Sequence, residues 1–261
     1  MPIKVTVTGA AGKMGSETIK AIISADSLEL SGAVDVNISK GIDIGTYVGI
    51  GECGVSLTDD LNDVIGKTDC LVDFTNSATA PYFIKTALEN GVNCVVGTTG
   101  IDENELAEIS DLANKTGKAV LIVPNFSIGA VLMMKFANEA GKYFENAEIL
   151  EMHHDKKQDA PSGTALMTAK KMSTDKIFSE PVTKKETLEN VRGGSFNGIR
   201  IHSVRLPGLI AHQQVMFGGE GEIFTIRHDS MARTSFMPGV IKAVEKISSL
   251  KGLNFGLELV L

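Results

Sequence analysis

Residues 3–8, IKVTVT, are short, apolar and β-branched, and Gly9 ends them, which predicts a first strand. From Lys13 to about Ser24 the spacing turns helical, with Met14, Ile19, Ile22 and Ile23 as the apolar stripe. Leu28–Val34 reads as a second strand. Strand and helix signals then alternate. Cys70–Phe74 is a buried strand and Ala80–Asn90 a helix with Pro81 in its first turn. Asn93–Val96 is a strand, a helix follows the capping box Asp102/Glu105, and Ala119–Val123 is a further strand. Short, nearly continuous apolar strands separated by helices indicate a parallel sheet covered on both faces, the doubly wound α/β architecture of Rossmann type. Residues 36–58 are glycine-rich and irregular, and the expectation is a mobile or functional loop.

The pattern changes after Pro124. Ile128–Phe144 reads as a long helix, Glu148–His153 as a strand and Thr164–Met172 as a helix. Three β-like runs follow at Gly198–Leu206, His212–Phe217 and Glu222–His228, and Ser235–Leu250 is helical again. This order predicts a second, α+β domain with a largely open sheet, so residues 1–124 form one domain and 125–233 another. The apolar end, Phe255–Leu261, is expected to pack back with 234–261 on the first domain.

Charge and composition narrow the function. Over 261 residues the net charge is −7, which argues against a nucleic-acid surface while leaving room for a local anion pocket. No apolar run approaches the roughly 18–20 residues of a membrane span. The start, MPIKVTVTGAAG, reads as strand and turn rather than a cleavable signal. Cys53, Cys70 and Cys94 lack any paired spacing, so neither a disulfide framework nor a zinc site is expected, and the cytoplasm is the expected compartment. Cys94, inside a strand, reads as a core residue.

The first strand runs into Gly9-Ala10-Ala11-Gly12-Lys13-Met14-Gly15, directly before a helix. Small residues here let backbone N–H groups approach a pyrophosphate at the helix N-terminus. Asp35, ending the second strand, is placed to accept from a ribose hydroxyl. Other loops at strand carboxyl ends belong to the same candidate dinucleotide site. They are Phe74-Thr75, Gly97-Thr98-Thr99 and Pro124-Asn125-Phe126. The cofactor expected is NADH, NADPH or both.

The densest polar cluster runs from Glu151 to Ala165. Ser162 reads as a helix N-cap, so Gly163 and Thr164 present N–H groups to a carboxylate or phosphate. His153, His154, Lys156 and Lys157 add proton donors and positive charge just upstream. Adjacent histidines on a strand point to opposite faces and no third spaced ligand accompanies them, so no metal is expected.

The segment His153-His154-x-x-Lys157-x-Asp159-Ala160-Pro161-Ser162-Gly163-Thr164-Ala165 resembles the signature of the dihydrodipicolinate reductase (4-hydroxy-tetrahydrodipicolinate reductase) family. GAAGKMG, Asp73-Phe74-Thr75, Gly97-Thr98-Thr99-Gly100 and Asn125-Phe126-Ser127-x-Gly129 match it in order, so the resemblance spans nearly the whole chain. It implies a dinucleotide-binding domain over 1–124, rejoined by 234–261, and a domain for substrate binding and tetramerisation over 125–233. The implied reaction is NAD(P)H-dependent reduction of a cyclic dicarboxylate to tetrahydrodipicolinate, in diaminopimelate and lysine synthesis. By motif position the resemblance makes Lys157 the proton donor and places His153 and His154 in the acid and substrate site. Gly163 and Thr164 then hold a substrate carboxylate, and Arg233 helps form the pocket. Lys13 falls near the cofactor phosphates.

Two positions depart from the pattern. Pro207 replaces a small residue before Gly208, and Val36 stands where some relatives carry an arginine for a 2′-phosphate. Lys40 and Lys13 leave NADPH use open. The alternatives are another two-domain amino-acid-pathway dehydrogenase or a non-catalytic NAD(P)-sensing regulator.

Overall fold

The computed structural model describes residues 1–261, which form two compact units, Met1–Ile128 with Phe236–Leu261 and Gly129–Ser235. The first unit is built on a seven-stranded sheet. Its strands are β1 (Ile3–Thr8), β2 (Leu28–Val34), β3 (Leu57–Thr58), β4 (Cys70–Asp73), β5 (Asn93–Val96), β6 (Ala119–Ile122) and β12 (Gly252–Phe255). Their order is β12-β6-β5-β4-β1-β2-β3 and every pairing is parallel. Strands buried on both faces take mainly apolar side chains, and the alternate threonines of β1, Thr6 and Thr8, are fully buried as well. Helix α1 (Lys13–Ile23) buries Ile19 and Ile22. Helices α3 (Ala80–Glu89) and α4 (Glu103–Thr116) bury Phe83, Ile84, Leu88 and Ile109 in the main core.

Two local expectations are corrected, and the expected C-terminal return is extended. Residues 36–58 are an ordered connection containing α2 (Ile44–Val48) and β3. Asp43 organises it, accepting backbone N–H bonds from Thr46 (3.0 Å), Cys53 (3.1 Å) and Gly54 (2.8 Å). The Asp102/Glu105 capping box closes from one side only. Asp102 accepts from the Asn104 N–H at 2.9 Å, whereas Glu105 pairs across to Lys85 at 2.7 Å. The C-terminal return is more than a helix: after α7 (Met237–Lys246) the chain adds β12 to the edge of the sheet.

The second unit holds a five-stranded sheet. In it are β7 (Asn146–His153), β8 (Gly194–Phe196), β9 (Ile199–Arg205), β10 (Ala211–Gly219) and β11 (Glu222–Ser230), in the order β11-β10-β7-β9-β8. Only β7 and β9 pair in parallel. Along β7, Ala147, Ile149 and Glu151 alternate inward, as a half-covered strand requires. The first two join Val215 and Phe217 against α5 (Ile128–Gly141) and α6 (Gly163–Met172). Helix α5 stops three residues short of the expected Phe144 because the chain tightens into i→i+3 bonds, Lys142 to Glu139 and Tyr143 to Ala140.

Candidate functional site

In the first unit, β1 and β4 are neighbours, and the chain winds from them in opposite directions. A crevice opens at such a switch point beyond the strand carboxyl ends. Here a cleft of about 230 Å³ is lined by Gly9, Gly12, Asp35, Val36, Phe74 and Thr75, among others. Gly9 takes φ +69°, and a Cβ on it would stand 2.6 Å from the Phe74 carbonyl oxygen. A Cβ on Gly15 would stand 2.1 Å from the Gly9 oxygen, so the helix can meet the turn only if residue 15 lacks one, as the turn can meet the Phe74 backbone only if residue 9 does.

Ala10 is buried and donates its N–H to Val34, while the Ala11 N–H donates to Asp35 Oδ2 at 3.0 Å. Asp35 Oδ1 accepts from the Asn37 N–H at 2.9 Å, so the acid braces the glycine turn as well as facing the cleft. Helix α1 begins after Gly12 with no side-chain cap and no acidic residue in its first turn. The Lys13–Gly15 turn therefore keeps the positive end of the helix dipole for an anion. Lys13 is exposed and Met14 half-buried.

The remaining loops are tied together by Asp73, which is fully buried. It accepts from the hydroxyls of Thr8 (2.7 Å), Thr75 (2.8 Å) and Thr98 (2.6 Å). The rings of Phe74 and Phe126 lie 5.5 Å apart at 59°, and a Cβ on Gly97 would come within 2.3 Å of the Phe74 ring. Thr98, Thr99 and Pro124 line a separate hollow of about 150 Å³ with Phe255, rather than the Asp35 cleft. Asn125 closes a turn by accepting from the Ser127 N–H at 2.9 Å. Lys40 is placed elsewhere, paired with Asp59 beside another cavity that also takes in Lys67. Cys70 and Cys94 are buried, and burial pushes the Cys70 thiol up to about 12 and raises that of Cys94 strongly.

In the second unit the centre is Glu151, whose side chain has 0% exposure. Its Oε1 accepts from Arg205 Nη2 (2.8 Å) and the Ser162 N–H (3.2 Å). Its Oε2 accepts from Arg205 Nη1 (3.0 Å) and meets His153 Nδ1 at 2.5 Å. Arg205 also donates to the Asp159 carbonyl at 2.7 Å, and Lys157 Nζ donates to the Asp159 carboxylate at 2.7 Å. The Ser162 hydroxyl caps α6 by accepting from the Ala165 N–H at 3.2 Å, and a Cβ on Gly163 would meet nothing within 4 Å. Thr164, in the first turn, is half-buried. Thus β7, β9 and the start of α6 are joined at one carboxylate. His154, next to His153, is also half-buried. Arg233 lies in the turn Arg233–Phe236 and makes no bond to this network. Glu151 opens the polar cluster evident in the sequence, but neither it nor Arg205 is given a role there. The available signal was a charge two positions before His153, hence on the same strand face, at an inward position of β7.

Burial alone would push the Glu151 carboxyl up, but hydrogen bonds from His153, Arg205 and Ser203 outweigh it and hold its pKa at about 2.

A doubly wound sheet with an anion-ready glycine turn and an acid at the end of β2, together with a unit carrying proton donors beside a capped helix, defines an NAD(P)H-dependent oxidoreductase. Family profiles described as dihydrodipicolinate reductase, N-terminus and C-terminus, match residues 3–126 and 129–261. The chain belongs to the dihydrodipicolinate reductase family. A 4-hydroxy-tetrahydrodipicolinate reductase of Syntrophomonas wolfei is 49% identical over 259 residues, covering 98% of this chain and 97% of its own length. That of Synechococcus elongatus is 47% identical, with 100% and 99% covered. A dipicolinate-bound dihydrodipicolinate reductase from Paenisporosarcina sp. TG-14 superposes with a TM-score of 0.90 at 42% identity over the full length of both chains. An amine dehydrogenase from Mycobacterium smegmatis, at 14% identity, TM-score 0.71 and 99% and 96% coverage, shares the fold alone.

The depressed pKa of Glu151 has a consequence for stability. Its folded-state value of about 2 lies below the ordinary 4.5, so the folded state binds fewer protons between them. The stabilisation it contributes is complete above pH 4.5 and is lost as pH falls toward 2. Urea unfolding measured across this range should show a shallower acid decline for Glu151→Gln than for the wild type. Parallel declines would mean that the carboxylate is not held low.

Proposed function

We propose that the chain is a 4-hydroxy-tetrahydrodipicolinate reductase, reducing a cyclic unsaturated dicarboxylate to tetrahydrodipicolinate on the diaminopimelate route to lysine. The observation that carries this reading is the network around Glu151, which joins His153 to the capped start of α6. The dipicolinate held by the Paenisporosarcina relative has the same chemistry, a ring with two carboxylates. NAD(P)H when bound supplies the hydride. The turn Gly9–Gly15 suits its pyrophosphate and Asp35 its adenosine ribose. Phe74, Thr75, Gly97, Thr98, Thr99, Pro124, Asn125 and Phe126 are assigned to the rest of the cofactor site, on the support of their places at strand carboxyl ends. In the second unit Ser162, Gly163 and Thr164 receive a substrate carboxylate at the helix N-terminus, with His154 and Arg233 contributing to binding. Lys157 donates the proton that completes the reduction, and His153 is the second catalytic residue. Residues 1–124 with 234–261, joined by Asn125 and Phe126, thus serve the nucleotide, and the rest of 125–233 serves substrate and assembly.

Lys157→Ala should lose most turnover, on the order of a hundredfold or more in kcat, while its circular dichroism and melting temperature stay near wild type. A coupled assay with synthase-generated substrate measures this. Near-normal kcat at neutral pH would assign the proton to another group.

For the nucleotide, Asp35 can accept from ribose hydroxyls but repels a 2′-phosphate, and Val36 supplies no guanidinium fork. Lys40 is tied to Asp59, so it offers less to a 2′-phosphate than its position in the sequence suggests. The expected outcome is use of both nucleotides with kcat/KM for NADH at least equal to that for NADPH. A hundredfold NADPH advantage, about 2.7 kcal/mol, would overturn it.

The five-stranded sheet turns Leu150, Met152, Val204 and Met216 away from its helices, half-buried. Such a face supports a homotetramer assembled through this unit. No helix is long and apolar enough to cross a membrane, and the free thiols suit the cytoplasm. Light scattering at micromolar concentration should give a tetramer mass, and a stable monomer would refute the assembly.

A further inference from the structure

We propose that Glu151 is the positioning residue for His153, fixing the imidazole as its Nδ1–H tautomer and presenting Nε2 as the nitrogen available to substrate. The proposal rests on the reading of His153 as an active-site residue, but its geometry stands independently of any assay.

The argument is one of donors and acceptors. An ionised carboxylate accepts only, with about four lone-pair sites on its two oxygens. Glu151 has no exposed surface, and besides the Ser203 hydroxyl named above its oxygens meet four nitrogens, two on each oxygen. Three of them, the two Arg205 nitrogens and the Ser162 N–H, can only donate. The Arg205 pair, in bidentate geometry, keeps the carboxyl ionised, in line with its low pKa. The fourth partner, His153 Nδ1 at 2.5 Å, therefore has to carry the hydrogen. A neutral imidazole has one N–H, so Nε2 bears the lone pair, and no residue of the chain bonds to it. When His153 is protonated, Nε2 becomes a donor aimed by the same contact.

The arrangement is built by secondary structure rather than by a loop. Glu151 and His153 are two apart on β7 and share a face, and the parallel register sets His153 beside Arg205 on β9. The same carboxylate receives the N–H of Ser162, the residue that caps α6. Orientation of the imidazole and the start of the proposed carboxylate-binding helix are thus set by one group, the role a buried acid plays for the histidine of a hydrolytic triad.

Long-range ¹⁵N–¹H correlation spectra of ¹⁵N-histidine-labelled protein at pH 8 read the tautomer directly, with His153→Gln assigning the signal. The expected result is an Nδ1–H pattern for His153 in the wild type. An Nε2–H pattern, or a fast average of the two, overturns the proposal. In Glu151→Gln the fixed pattern should be lost and kcat should fall at least tenfold, with KM for NADH within twofold of wild type. Retention of both the Nδ1–H pattern and wild-type kcat in that variant also overturns it. A wild-type protein with the Nδ1–H pattern but no reductase activity would support the pairing and refute the functional reading instead.

Discussion

Taking a carboxylate out of water costs several kcal/mol, and the cost is offset only when donors fill its lone pairs. In each unit one such group is fully buried at the ends of the strands, Asp73 in the first and Glu151 in the second. Glu151 is met by a guanidinium, an imidazole and a backbone N–H, which come from β7, β9 and the segment entering α6. Asp73 is met by three threonine hydroxyls from the ends of β1, β4 and β5. Removing a single donor would leave the rest around an under-satisfied charge, so the segments that supply them are held in register together. The loops carrying the candidate site residues inherit their geometry from these two groups.

The two solutions differ in kind. Glu151 has a cationic partner, which fixes it as an anion and gives the site a defined charge state over the physiological range. Asp73 has neutral donors only, so its role is to orient threonine side chains. Thr75 and Thr98, selected from the sequence as cofactor contacts, commit their hydroxyls to Asp73. What they offer a nucleotide is therefore chiefly backbone and methyl surface.

Much of this was legible in the sequence because the signals were local. The parallel sheet followed from apolar runs between helical stretches, the glycine turn from its spacing after β1, and the α6 cap from Ser162. The substrate motif was legible because ten fixed residues within thirteen consecutive positions carry it. The rest depended on pairing over long separations. Nothing near Glu151 in the sequence announces Arg205, 54 residues away, as its partner. Lys40 looked available to a phosphate because the sequence does not show Asp59 folding back on it. The order in residues 36–58 was hidden for a related reason, since a single acid, Asp43, gathers backbone donors from as far as Gly54. Glycine content alone does not distinguish a pinned connection from a loose one.

The seventh strand of the nucleotide unit, β12, pairs with β6 from 133 positions further along the chain. During synthesis β6 therefore emerges as an open sheet edge, with unpaired N–H and C=O groups, and stays so while the whole second unit is translated. At translation rates of about 5–20 residues per second this interval lasts roughly 6–26 s. The nucleotide unit is thus the first to begin and the last to finish. A ribosome that stalls within residues 129–235 would hold out a nearly complete sheet whose edge is ready to pair with a neighbouring nascent chain.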